Sequence, residues 1–272
     1  MGSEQSSARK QRIRSRDEES VDVFDVPATV VCARCAQPDC MGCEPAGENE
    51  SGVVTLVPWE RPGPVWTRLW STASAATQGA ETFFATLPDG ELSPALRFAL
   101  VAETLAIVSM VSVLAGCVLL AMPTLLVALI RDAGLRSAVF RFAALGVPLL
   151  TLWMIMAHTT HGAILDLGAR SQGGRPQRRR ALRFGLYACG WDLMSGPLGA
   201  VVTLISRGRK SMAELLSLSM SAPGTASMAF LQGVYGIAPE PAKRARKWGT
   251  AAAVVLSLLS GAVVLGIIVL AL

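Results

Sequence analysis

Residues 98–130 read FALVAETLAIVSMVSVLAGCVLLAMPTLLVALI, with Glu103 as the single charged residue. A helix needs about 20 apolar residues to cross a hydrocarbon core about 30 Å thick. This run exceeds that length even if Pro123 kinks or ends it. A soluble surface helix would carry polar residues on one face at every turn, and here none recur. The stretch is therefore read as a membrane span. Four more follow, at 142–165, 184–206, 212–237 and 249–272. The fourth is the weakest. It is rich in Ser, Gly and Met, with Glu214 at its edge and Pro223-Gly224 at its centre, which predicts a broken or kinked helix. The expected fold class is an all-α membrane protein, a five-span transmembrane helix bundle behind a polar N-terminal third.

The whole chain agrees. It has 272 residues, 51% of them hydrophobic, and a mean hydropathy of +0.44, which suits a chain largely buried in a bilayer. Net charge is +5 but segregated: residues 1–94 hold 8 Lys/Arg against 14 Asp/Glu, and residues 95–272 hold 17 against 6. The positive charge lies in short loops beside apolar runs. That points to anionic headgroups and membrane orientation, and away from nucleic acid. The first 20 residues contain no apolar core of signal-peptide length, so the first span is expected to direct insertion. With five spans, the loops 166–183 and 238–248 lie on the side of the N-terminus. They carry Arg170, Arg175, Arg178, Arg179, Arg180, Arg183, Lys243, Arg244, Arg246 and Lys247. The opposite side carries Arg131, Arg136, Arg141, Arg207, Arg209 and Lys210. Ten against six places the N-terminus in the cytoplasm and the C-terminus outside.

Residues 1–30 are polar, a basic run over 9–16 followed by an acidic one over 17–25, and are expected to be a disordered tail. Residues 31–44 hold C-x2-C-x4-C-x2-C at Cys32, Cys35, Cys40 and Cys43. Four thiolates in C-x2-C pairs suit structural, tetrahedral zinc, and a reducing cytoplasm favours metal over disulfides. The four-residue central loop is shorter than a zinc ribbon's. An iron–sulfur cluster, reduced thiols and disulfides therefore stay open. Four Cys leave no free position for catalytic zinc. Residues 45–64 form a Pro/Gly-rich linker whose VVTLVPWE could supply one strand. In 65–94, Trp66, Leu69, Trp70, Ala73 and Ala76 fall on one helical face. This segment is read as an interfacial amphipathic helix lying on the membrane, with packing against the rest of the chain as the alternative. Ser93-Pro94 reads as an N-cap and first helical residue.

Ionisable residues inside a membrane are costly, so each is a candidate for function. Glu103 lies near the cytoplasmic end of the first span. His158 and His161 lie near that end of the second, three residues apart on one helix face. Asp192 lies about 13 Å into the third, at 1.5 Å per residue. All four fall at comparable depth. They could relay protons or metal ions, or hold the bundle together by hydrogen bonds. Ser112/Gly116, Ser195/Gly199 and Ser257/Gly261 are small-xxx-small pairs that allow close helix approach, and self-association remains open. No nucleophile elbow, Walker loop, HExxH or dinucleotide fingerprint is present. The expectation is a non-enzymatic protein.

A broader pattern also stands out. PWE at 58–60 precedes a Trp-bearing helix, FFATLPDGELSPALRFAL at 83–100 and the apolar runs. A basic loop leads to LRFGLYACGWDLMSGPLGAVVTLI at 182–205, and PAKRARKW precedes the last run. Over residues 58–272 this order resembles bacterial members of the Yip (Ypt/Rab-interacting) family of membrane proteins. The resemblance implies a non-enzymatic integral membrane protein with five spans and a cytoplasmic N-terminus. The Cys-rich segment is similar to the metal-binding head often placed before such domains. Eukaryotic relatives are associated with vesicle trafficking and prenylated small GTPases. The Arg/Ala/Gly-rich composition looks bacterial, so the role expected here is membrane organisation or recruitment of a protein partner at an inner membrane. The alternative is a small-solute or ion transporter using Glu103, His158, His161 and Asp192.

Overall fold

A computed structural model describes residues 57–271, so Cys32, Cys35, Cys40 and Cys43 lie outside the described residues. The described residues are helical throughout, with no strand. A 3-10 turn, Pro58–Glu60, stands where the VVTLVPWE run ends. Then come α1 (Val65–Thr77), α2 (Ala80–Ala85), α3 (Leu92–Ala121), α4 (Pro123–Arg131) and α5 (Ala133–Arg141). After a π turn (Phe142–Gly146) follow α6 (Val147–Ser171), α7 (Arg178–Ala188), α8 (Gly190–Ser195), α9 (Pro197–Gly233) and α10 (Pro239–Ala271).

Three stretches are long and apolar enough to cross a bilayer: Leu92–Ala121, Ala133–Ser171 and Pro239–Leu270. A fourth crossing is available if the pair Arg178–Ser195 and Pro197–Ser206, bent by 66°, is one broken span. The 212–237 run does not stand among them. It forms the second half of α9, and its Ser/Gly/Met content is the reason. The expected kink at Pro223-Gly224 is absent, Pro223 lying inside the helix, and the break in α9 falls between the expected third and fourth spans, at Gly208, whose φ of 82° lies in the left-handed region that glycine tolerates. The first apolar run is also divided. Its ladder stops at Met122 (φ −130°, ψ 75°), because Pro123 disfavours helix in the residue before it. The expected loop at 131–141 is largely helical, since the Asp132 side chain accepts hydrogen bonds from Gly134 and Leu135 N–H as an N-cap. The π turn has a similar local cause: Pro148 has no N–H for the regular ladder, so the register slips ahead of it. α3 begins at Leu92 with Glu91 as its N-cap, two residues before the expected Ser93.

Most apolar side chains of α3 beyond Val108 and of α10 beyond Val254 remain exposed, Leu120 at 84% and Leu270 at 89%. A water-soluble fold would cover such faces; a bilayer covers them with lipid. The buried core sits at the opposite end of α3, around Ala95, Phe98, Ala99 and Ala102. Aromatic side chains fill it. Phe98 meets Trp59 at 5.7 Å and Tyr187 at 5.4 Å between centroids, Phe84 meets Phe184 at 4.6 Å, and Phe184 meets Phe230 at 4.7 Å. α1 and α2 belong to this core. Leu69, Ala73, Ala76 and Phe84 are fully buried, and Trp191 Nε1 donates to the Ala76 carbonyl at 2.8 Å. The packing alternative thus accounts for the inner face of α1, while Val65 and Trp66 remain exposed on its outer face.

Two features of this end correct the reading of its charges. Arg183 is a core residue, 1% exposed, and not a loop charge facing headgroups. Its guanidinium donates to Glu60 Oε1 and to the Glu91 carbonyl, both at 2.7 Å. Nearby, buried Asp166 near the end of α6 accepts from the Gln177 N–H at 2.8 Å and the Tyr235 hydroxyl at 2.7 Å, and pairs with Arg170. The end of α6, the start of α7 and the α9–α10 turn therefore meet at one place. Tyr235→Phe removes one of these bonds and is expected to cost about 1 kcal/mol, read as a lower melting temperature in detergent. An unchanged melt would show that Asp166 is held without it.

Candidate functional site

Glu103, His158 and Asp192, three of the four intramembrane candidates, come together. Glu103 projects from α3, His158 from α6 and Asp192 from α8. His158 Nε2 lies 2.8 Å from Asp192 Oδ2 and 3.4 Å from Glu103 Oε1. Small neighbours make the approach possible. Ala99, Ala102 and Ala106 line the buried side of α3 around Glu103. Gly162 and Gly185 let α6 and α7 touch backbone to backbone: a Cβ on Gly162 would collide with the Ala181 carbonyl, and one on Gly185 with the His158 carbonyl.

His161 does not join them. Three residues beyond His158, it turns towards α9, with Nε2 3.5 Å from Ser227 Oγ. Both imidazoles lean on Trp191, at 5.8 and 6.5 Å between centroids. His161 also lines a cavity of about 450 Å³ with Pro223, Gly224, Arg246 and Lys247.

One residue of the site was not foreseen. Cys189, fully buried at the α7–α8 junction, brings its Sγ to within 4.8 Å of both the Glu103 carboxylate and the His158 ring. The signal for it was its position one turn before Asp192 on the same helix face, although in an apolar run a cysteine reads as a small hydrophobe.

The carboxylate of Glu103 is 0% exposed, and both its oxygens are buried without a formed hydrogen bond. His158 Nε2 carries one proton at most, and Asp192 is the closer acceptor. Its polar neighbours are the His158 ring, the Asp192 carboxyl group and the Cys189 thiol, and a cation held among these groups would draw them to one centre. The site lies on a discontinuous element. α7 gives way to α8 at Cys189, and the bent pair breaks at Gly196, four residues after Asp192. Broken helices inside membrane bundles are where ion and substrate sites recur. The geometry defines a helical protein with apolar helices long enough to cross a membrane and a carboxylate–imidazole–thiol cluster beside a bent helix pair. Comparison with protein families, with curated proteins and with solved structures finds no match for this chain.

Proposed function

We propose that this chain is an integral membrane protein that carries a cation through its bundle by way of Glu103, His158 and Asp192. One observation carries the reading: three ionisable side chains from three helices converge at a broken span, around a fully buried Glu103 carboxylate with no formed hydrogen bond.

A five-span arrangement is the topology proposed with it. Support comes from the end shared by the start of α3, the end of α6, the start of α7 and the α9–α10 turn. Arg183 joins α7 to Glu91, Asp166 joins α6 to Gln177 and Tyr235, and Gly233 lies against Ala85. Five alternating passes require those ends to meet. With Arg183 buried the Lys/Arg tally becomes nine against six. It still favours a cytoplasmic N-terminus, in a bacterial inner membrane.

The test is reconstitution of the full chain into vesicles containing a pH-sensitive dye or a divalent-metal dye. Cation flux above that of protein-free vesicles is expected. Glu103→Gln and Asp192→Asn should each reduce it to the protein-free level while inserting normally. No flux of either kind would overturn the reading. The expectation of partner recruitment rests on the head at Cys32, Cys35, Cys40 and Cys43. It would be favoured by a protein that co-purifies with the chain and is lost on Cys→Ser changes there.

A further inference from the structure

We propose that Glu103, His158 and Cys189 form a site for a single thiophilic divalent transition-metal ion of the zinc class, with Asp192 holding the His158 ring in the empty site. This deepens the transport reading and rests on it only for the claim that a cation enters the bundle; binding can be measured without transport.

Ligand types come first. One sulfur, one imidazole nitrogen and one carboxylate oxygen are the donors that zinc takes, whereas magnesium and calcium demand oxygen shells. Three donors leave a fourth position open, the arrangement of exchangeable rather than closed structural sites. Spacing comes next. Zinc bonds of about 2.0–2.2 Å to nitrogen and oxygen at a tetrahedral angle put those two donors about 3.4 Å apart. Glu103 Oε1 and His158 Nε2 are 3.4 Å apart, longer than a good hydrogen bond and equal to that edge. The Cys189 sulfur lies within 4.8 Å of both, so a shift of at most about 1 Å completes the set. Independent support comes from Glu103 itself, fully buried with two oxygens lacking a formed hydrogen bond.

Charge also favours a dication. It offsets the Glu103 carboxylate and the Cys189 thiolate and leaves the Asp192 carboxylate as the one uncompensated charge of the cluster. Binding would proceed by exchange. The thiol proton of Cys189 leaves to solvent, and His158 moves its proton from Nε2 to Nδ1 to free a lone pair. Its bond to Asp192 is then replaced by the metal bond, and the Asp192 carboxylate stays beside the site. No electrons are transferred.

The test uses the full chain in detergent with Cys32, Cys35, Cys40 and Cys43 all changed to Ser, which removes the other sulfur set. Cobalt(II) is the probe, because a thiolate ligand gives it a charge-transfer band. About one cobalt per chain with such a band is expected. The band should vanish in Cys189→Ala. If Cys189→Ala fails to fold, the near-isosteric Cys189→Ser and Glu103→Gln decide: the first should lose the band, the second should lose affinity and keep it. No bound cobalt, or a band that survives loss of Cys189, would overturn the proposal. Proton flux without cobalt binding would leave the transport reading standing and sink this one; cobalt binding without any flux would do the reverse.

Discussion

Glu60→Ala is expected to destabilise the protein by about 3–5 kcal/mol, the cost of breaking a buried ion pair on one side. Arg183 is 1% exposed, and its partners are the Glu60 carboxylate and the Glu91 carbonyl. The Tyr187 hydroxyl donates to the same Glu60 oxygen at 2.5 Å, and Tyr187 is fully buried. Removing the carboxylate leaves a buried guanidinium with one carbonyl and a buried phenol with no acceptor. The effect spreads because Glu60 holds the Pro58–Glu60 turn against α7. That turn also places Trp59, whose Nε1 donates to the Pro94 carbonyl at the start of α3. Thermal or SDS denaturation in detergent measures the loss. Replacing both partners, as Glu60→Leu with Arg183→Met, should recover most of the stability, because an apolar pair of similar volume needs no counter-charge. A Glu60→Ala protein within about 0.5 kcal/mol of the wild type would mean the pair is not what secures this end.

The reach of sequence reasoning is visible in these residues. Glu103, His158 and Asp192 stood out because a charge in an apolar run costs free energy wherever it sits, and three helices deliver them to one place. His161 shared their helical phase with the rest, but which neighbour each imidazole faces depends on how α6 and α9 cross. Arg183 looked like one more loop charge. Its partner lies 123 residues earlier, a separation that no local pattern bridges. The helix end at Met122 was legible through Pro123. The glycine contacts were not. Gly116, in a small-xxx-small pair, has open space around it. Gly199 serves the bend after α8, and Gly261 meets the Trp153 ring. The tightest crossing belongs to Gly162, which sits in no such pair, and to Gly185, whose pair with Ala181 the sequence offered without naming its neighbour. Spacing within one helix says that a groove exists, not which helix fills it.

That crossing supports the second large effect: Gly185→Val is expected to cost about 3 kcal/mol or more and to abolish cation binding. In a helix interior, replacing glycine by alanine normally gains about 1 kcal/mol through backbone entropy. Here the added Cβ would run into the His158 carbonyl and the Thr159 Cα, both backbone atoms that no rotamer change can move. Overpacking a tight contact costs about 1–3 kcal/mol, and more when side chains cannot yield. The collision therefore outweighs the propensity gain. Gly185→Ala, with the smaller methyl, is expected to be destabilised despite its better helix propensity, so the sign of its effect separates the two terms. The consequence for the site is direct. The carbonyl that Gly185 admits belongs to His158, so pushing α6 away from α7 draws the imidazole off Asp192, 2.8 Å away, and off Cys189. Melting in detergent and cobalt binding should fall together in Gly185→Val. A variant that melts early yet binds cobalt as the wild type does would show that the α6–α7 contact supports the bundle without positioning His158. A variant more stable than the wild type would show that this crossing is looser than the described backbone.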